Sequence, residues 1–229
     1  MPTAFCDLIE LRLGATGVEG TLALPASIRP LPGEYLLAFA PGQSEALATA
    51  IFPAGPSGEF LRVAPPLPGS WAAGMRLQVR GPLGNGFRLP AGAHKVALAA
   101  LGCGPERLLP LADLALAQDA AVVLYAASIP EHLPADVEIM PLEQLGEVLE
   151  WADYLALDLD NGRAEQWKQV IGLGINQKLP FTGQALVRTP IVCGGIGECG
   201  VCAVKTLSGW TLACKDGPVY DLADLGGVP

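Results

Sequence analysis

Three successive stretches decide the fold: "HKVALAALG" (94–102), "PERLLPLADLALAQ" (105–118) and "AAVVLYAA" (120–127). The first and third are continuous apolar runs of strand length, the pattern of a strand covered on both faces. The stretch between them repeats apolar residues at helical spacing. It begins at Pro105, where a missing N–H costs nothing. Strand, helix, strand predicts parallel strands joined by a crossover helix. The alternation continues downstream. "DVEIMP" (136–141) and "DYLALDL" (153–159) are further strands, and "LEQLGEVLEWA" (142–152) and "GRAEQWKQVIGL" (162–173) further helices. An α/β domain is therefore expected over 91–187.

Upstream, the pattern is different. "CDLIELRLG" (6–14), "GTLALP" (20–25), "EYLLAFA" (34–40), "EFLRVA" (59–64) and "RLQVRG" (76–81) are short, strand-like and bounded by Gly or Pro. Such punctuation predicts a small antiparallel β-barrel over 1–90. Downstream, residues 188–229 hold no long periodic segment. "GVCAVKTLSGWTLACKDGPVY" (200–220) reads as two short strands turning at Ser208-Gly209.

Composition narrows the function classes. Hydrophobic residues make up 51% and charged residues 16% of the 229, which is the balance of a well-buried protein. The net charge is −9 with no Lys/Arg cluster, which argues against nucleic-acid binding. No apolar run approaches a membrane span, and no signal peptide is evident at the start. The expected compartment is the cytoplasm, where thiols stay reduced.

Six cysteines there are ligands, reactive groups or core filler rather than disulfides. Cys6 and Cys103 stand alone and read as filler. Cys193, Cys199, Cys202 and Cys214 instead follow C-x5-C-x2-C-x11-C, with the first three inside "CGGIGECGVC" (193–202). Four thiolates suit a tetrahedral zinc or an iron–sulfur cluster. Three on one compact loop, with the fourth arriving from a strand, favours the plant-type [2Fe–2S] spacing with one extra residue. A structural zinc site and a metal-free thiol set remain the alternatives. Gly194, Gly195, Gly197 and Gly200 would let such a loop wrap closely and aim N–H groups at sulfur.

"CGGIGECGVC", Cys214 and "DGPVYDL" (216–222) together resemble the C-terminal cluster domain of dihydroorotate dehydrogenase electron-transfer subunits, which are ferredoxin reductase-like flavoproteins. "RGPLGNGF" (80–87) resembles the family's Gly-Pro-Leu-Gly segment at the barrel junction. The resemblance implies a ferredoxin reductase-like, two-domain architecture, a β-barrel plus α/β, with a small C-terminal iron–sulfur segment at 188–229. It implies an NAD-linked two-electron donor reducing FAD, with single electrons passing through the cluster to FMN in a flavin-containing catalytic subunit of a heteromeric complex. By resemblance, flavin would be met at Thr49, Ala50, Gly81, Pro82, Leu83 and Gly84. NAD(H) would be met at Gly102 and Gly104.

Certain stretches depart from that pattern. The family carries an Arg and then a hydroxyl residue on a barrel strand. "ALATAIFPAG" (46–55) has no Arg and only Thr49. "APPLPGSW" (64–71) holds three prolines, which lack N–H donors. Glu106, beside the turn "LGCGPE", opposes an anion there. A competing function is thus a non-catalytic binding or regulatory module on the same scaffold, with structural zinc. His94 and His132 read as surface residues at element ends, and Asp158 and Asp160 as a strand end and turn. Trp151, Trp167 and Trp210 read as packing anchors.

Overall fold

The computed structural model describes residues 2–42, 47–55 and 58–225. Six strands form the first sheet: β1 (Thr3–Gly14), β2 (Gly17–Ala23), β3 (Tyr35–Phe39), β4 (Thr49–Ile51), β5 (Leu61–Val63) and β6 (Arg76–Leu83). Their order is β4-β3-β6-β1-β2-β5, all antiparallel. Its two ends approach one another. Ala54 N donates to Arg62 O at 3.0 Å and Ala64 N to Phe52 O at 2.9 Å, so little backbone at these edges is left unpaired. Alternate side chains point inward. Leu8, Leu22, Leu36, Ile51, Val63, Leu77 and Val79 fill the interior with Trp71.

The second sheet begins with β7 (Lys95–Leu101), β8 (Ala121–Tyr125), β9 (Val137–Met140), β10 (Tyr154–Asp160) and β11 (Thr182–Arg188), all parallel. Two short strands follow as a hairpin, β12 (Ala203–Thr206) and β13 (Gly209–Leu212), whose turn falls at Leu207 and Ser208, one residue before the expected Ser208-Gly209, because Gly209 already pairs with Thr206. Finally β14 (Val219–Asp221) returns to the second sheet, antiparallel to β11. The order is β14-β11-β10-β7-β8-β9. The tail segment is thus an insertion between two neighbouring strands of the α/β sheet.

The apolar runs are explained by two-sided burial. Val96, Leu98 and Ala100 of β7 face one core with α1 (Leu109–Leu116). Ala97, Ala99 and Leu101 face the other, with Trp167, Leu157 and Val204. Trp167 is the packing anchor expected, with Nε1 donating to Leu225 O at 2.9 Å. Trp210 is not: it stands 71% exposed on the hairpin. Asp158 also departs from expectation. It lies two residues inside β10 and is fully buried, whereas Asp160 does sit at the strand end. No described helix is long and apolar enough to cross a membrane.

Candidate metal centre

The loop before β12 carries three of the four cysteines, and the short helix after β13, α2 (Ala213–Asp216), carries Cys214. Four glycines of this loop adopt left-handed backbone: Gly194 (φ 69°), Gly195 (74°), Gly197 (78°) and Gly200 (73°). Such a run is hostile to any residue with a Cβ, and it turns successive N–H groups inward. Gly200 is the informative position, because a Cβ there would meet nothing within 4 Å. Only backbone strain opposes it. Gly200→Ala is therefore expected to keep any bound cofactor and lower stability by about 1–2 kcal/mol in a denaturant titration.

The folded chain brings the four thiols near one another: Cys199 is close enough to lower the Cys193 thiol, and Cys202 and Cys193 are close enough to raise that of Cys214. None is in a disulfide. Among the described residues, no three His, Cys, Asp or Glu groups converge on a point that would hold one ion.

The four differ in environment. Cys193 is half-buried and Cys199 exposed; Cys202 and Cys214 are buried. The Cys193 thiol is pulled down to about 6, first by the Glu198 backbone N–H and next by that of Gly197. Those N–H groups favour a thiolate, and they would equally favour the negative charge of a thiolate-bound cluster. Cys214 is pushed up to about 12, chiefly by burial and then by the Cys202 thiol. A buried thiol of this kind becomes a ligand when a metal takes the place of its proton.

Neighbouring elements clamp this arrangement. Arg80 of β6 donates to Gly194 O, and Tyr35 OH to Cys214 O at 3.4 Å. Ala213 N donates to Cys202 O at 3.0 Å, tying the fourth cysteine to the third. Asn161 Nδ2 reaches Ala203 O at 3.0 Å from the end of β10.

The remaining candidate residues lie as follows. Gly81, Pro82 and Leu83 end β6 and run on into Gly84. A Cβ on Gly84 would lie 2.5 Å from Pro218 Cδ and 2.8 Å from Gly217 O. Asn85 adds its N–H to Gly217 O (2.6 Å) and its Nδ2 to Asp216 O (2.8 Å). The "GPLGN" stretch therefore grips the segment carrying Cys214, and Gly84 is accounted for by that close approach, whereas Gly81 lies against Tyr35 O and Leu36 of β3. Thr49 and Ala50 are half-buried on β4, and Ala46 at the head of their stretch lies outside the described residues.

A flavin dinucleotide needs a cation for its pyrophosphate. Two of the guanidiniums facing this part of the barrel are committed, while a third, Arg62, lies against Gly55 at the far end of the stretch. Arg80 binds Gly194 O, while Arg107 lies over the Phe52 ring and donates to Pro65 O. A cavity of about 200 Å³ lies beside Arg80, lined by Leu37, Phe39, Ala48 and Gly194. It is below the usual size of a ligand site. The residues present do not assemble a pyrophosphate clamp.

Gly102 (φ 73°) and Gly104 sit at the first β–α turn of the second sheet. Sequence reasoning missed the side chains around them. Asp158 takes Arg107 Nη1 at 3.4 Å and Arg188 Nε at 2.8 Å. The available signal was an Asp inside an apolar strand, which demands a buried partner.

Comparison with known proteins agrees with the likeness read from the motifs. Residues 189–226 match the family described as the iron–sulfur cluster binding domain of dihydroorotate dehydrogenase B. The chain is 26% identical over 175 residues to the dihydroorotate dehydrogenase B (NAD(+)) electron transfer subunit of Clostridium perfringens, covering 65% of this chain and 66% of that one. It is 29% identical over 171 residues to the probable counterpart in Pyrococcus abyssi, covering 66% and 62%. The match thus spans less than two thirds of either relative. Among solved structures, an NADH-dependent reduced ferredoxin-NADP oxidoreductase superposes with a TM-score of 0.73 at 16% identity, over 97% of this chain and 90% of that one. Phthalate dioxygenase reductase gives 0.59 at 14%, over 90% and 87%. At these identities the likeness is one of fold, and the fold is ferredoxin reductase-like.

Proposed function

Starting from a tail that matches the iron–sulfur cluster binding domain of dihydroorotate dehydrogenase B, on a ferredoxin reductase-like body, we propose that this chain is an electron-transfer subunit similar to that of the dehydrogenase. It works in the cytoplasm, in a heteromeric complex with a flavin-containing catalytic subunit. Cys193, Cys199, Cys202 and Cys214 would hold a [2Fe–2S] cluster, which would supply one-electron transfer. The observation that carries this is the match of residues 189–226 to an iron–sulfur cluster binding domain, with three of the cysteines on a loop of left-handed glycines and Cys214 on the helix beside it.

The chain's own residues do the rest. Backbone N–H groups of Gly197 and Glu198 point at the Cys193 sulfur, which favours the more negative, reduced state. Cys202 and Cys214 keep water from the inner side, while exposed Cys199 marks the side open to a partner. Thr49, Ala50 and Gly81 to Gly84 belong to the barrel wall and the junction beside the cluster loop. Their part in this reading is to support that loop.

Protein purified without oxygen is expected to contain about two iron atoms and about two acid-labile sulfides per chain. Its visible absorption should bleach on reduction with dithionite. Zinc in place of iron would overturn the proposal in favour of a structural module.

A further inference from the structure

In open α/β sheets a dinucleotide lies outside the carboxyl ends of the strands, where strand order reverses, with its pyrophosphate against the glycines of the first β–α turn. In this chain the reversal lies between β7 and β10. The approach at Gly104 is taken by buried side chains, whereas that at Gly102 is met by the half-exposed Arg163 guanidinium, which can swing away. A Cβ on Gly102 would lie 2.9 Å from the Arg163 guanidinium carbon. A Cβ on Gly104 would lie 2.1 Å from Glu106 Oε2 and 2.4 Å from Thr16 Cγ2 of the barrel.

Glu106 is 7% exposed. Its Oε1 accepts from Thr16 Oγ1 at 2.7 Å, and its Oε2 has no partner among the described residues. The next residue continues the pattern. Arg107, 8% exposed, donates to Pro65 O, covers Phe52 and pairs with Asp158. Two consecutive side chains of the turn therefore cross the cleft and bond to the barrel. Pro105, first in the following helix, removes an N–H that a phosphate would use. Arg188 Nη2 closes the remaining side against Leu101 O at 3.3 Å.

We propose that this turn has become an internal strut, with the Glu106 carboxylate standing where a pyrophosphate would be held, so that pyridine nucleotide is excluded. A phosphate there would face both a filled space and a like charge. This rests on the electron-transfer reading above, and it names the donor and acceptor of that site. Both would be proteins: a bound cluster would accept one electron at a time from a reduced flavoprotein and give it to the second partner, with no hydride taken from a nucleotide.

The test is binding of NADH to the full chain, followed by NADH fluorescence in anaerobic equilibrium dialysis, with iron counted on the same sample. Wild type is expected to show no saturable binding below about 1 mM. Glu106→Ala, which removes the carboxylate, is expected to bind at least about tenfold tighter. Saturable wild-type binding in the micromolar range, or bleaching of the cluster by NADH alone, would overturn the proposal. So would a folded Glu106→Ala that binds no better. Should that variant not fold, the wild-type dialysis decides. The dialysis reads nucleotide whether or not iron is present, so a chain without iron sinks the electron-transfer reading and leaves this result legible.

Discussion

Cys202→Ser is expected to abolish or distort the visible absorption of anaerobically purified protein and to cut electron transfer more than about 100-fold. The argument is geometric. Cys202 is 1% exposed and its carbonyl accepts from Ala213 N, beside Cys214, so it has no solvent-accessible substitute as a ligand. Serine is nearly isosteric, and burying its hydroxyl costs about 1–3 kcal/mol, small beside the loss of a metal–thiolate bond. The barrel and the α/β sheet should therefore keep their circular dichroism. Cys103→Ser serves as the control. Cys103 stands at the first β–α turn, its thiol reaching Asp158 O at 3.9 Å, apart from the four, and its loss should leave the spectrum untouched. Intact absorption in the Cys202 variant would remove that residue from the ligand set.

The second large effect concerns stability. Asp158→Ala should lower unfolding free energy by about 3–5 kcal/mol, the usual result of removing one partner from a buried ion pair. Asp158 is fully buried between Arg107 and Arg188, which are themselves 9% and 24% exposed. Its deletion leaves two guanidiniums facing each other across a cavity. For a chain of this size that corresponds to a fall in melting temperature of roughly 6–20 °C. Asp158→Asn keeps the shape and one acceptor, and should cost less. A melting point unchanged by either substitution would show that the arginines find other partners. The assignment of the network as a joint between barrel and sheet would then fail.

Much of the architecture was legible from burial patterns. The runs at 95–101, 121–125 and 154–160 were identifiable because two-sided burial writes uninterrupted apolar sequence. The helices were less legible. "LEQLGEVLEWA" folds mostly as a 3-10 turn (Leu142–Glu147), with one short α-turn after it (Val148–Trp151). Its start lacks a side-chain cap and Gly146 interrupts it. "GRAEQWKQVIGL" shrinks to Trp167–Val170 because burial of Trp167 outranks helical propensity. The strand Val219–Asp221 left no local signal, since its partner lies over thirty residues earlier. At the cysteines, spacing and glycines identified the loop, and folding added the left-handed glycine backbone and the burial of Cys202 and Cys214. The Glu106 and Arg107 contacts were invisible in sequence because both partners, Thr16 and Pro65, come from the other domain.

The manner in which the tail is gripped has a consequence for biosynthesis. Asn85 and Gly84 hold Asp216 to Pro218, and Val219 packs where a side chain on Gly33 would collide. These anchors are made 131 residues or more after Asn85. Domains generally acquire shape in order of synthesis. The nest of sulfurs would then come into being only once the strands that precede it in both sheets have been made, and iron delivery would have to serve a largely built body rather than a short nascent peptide.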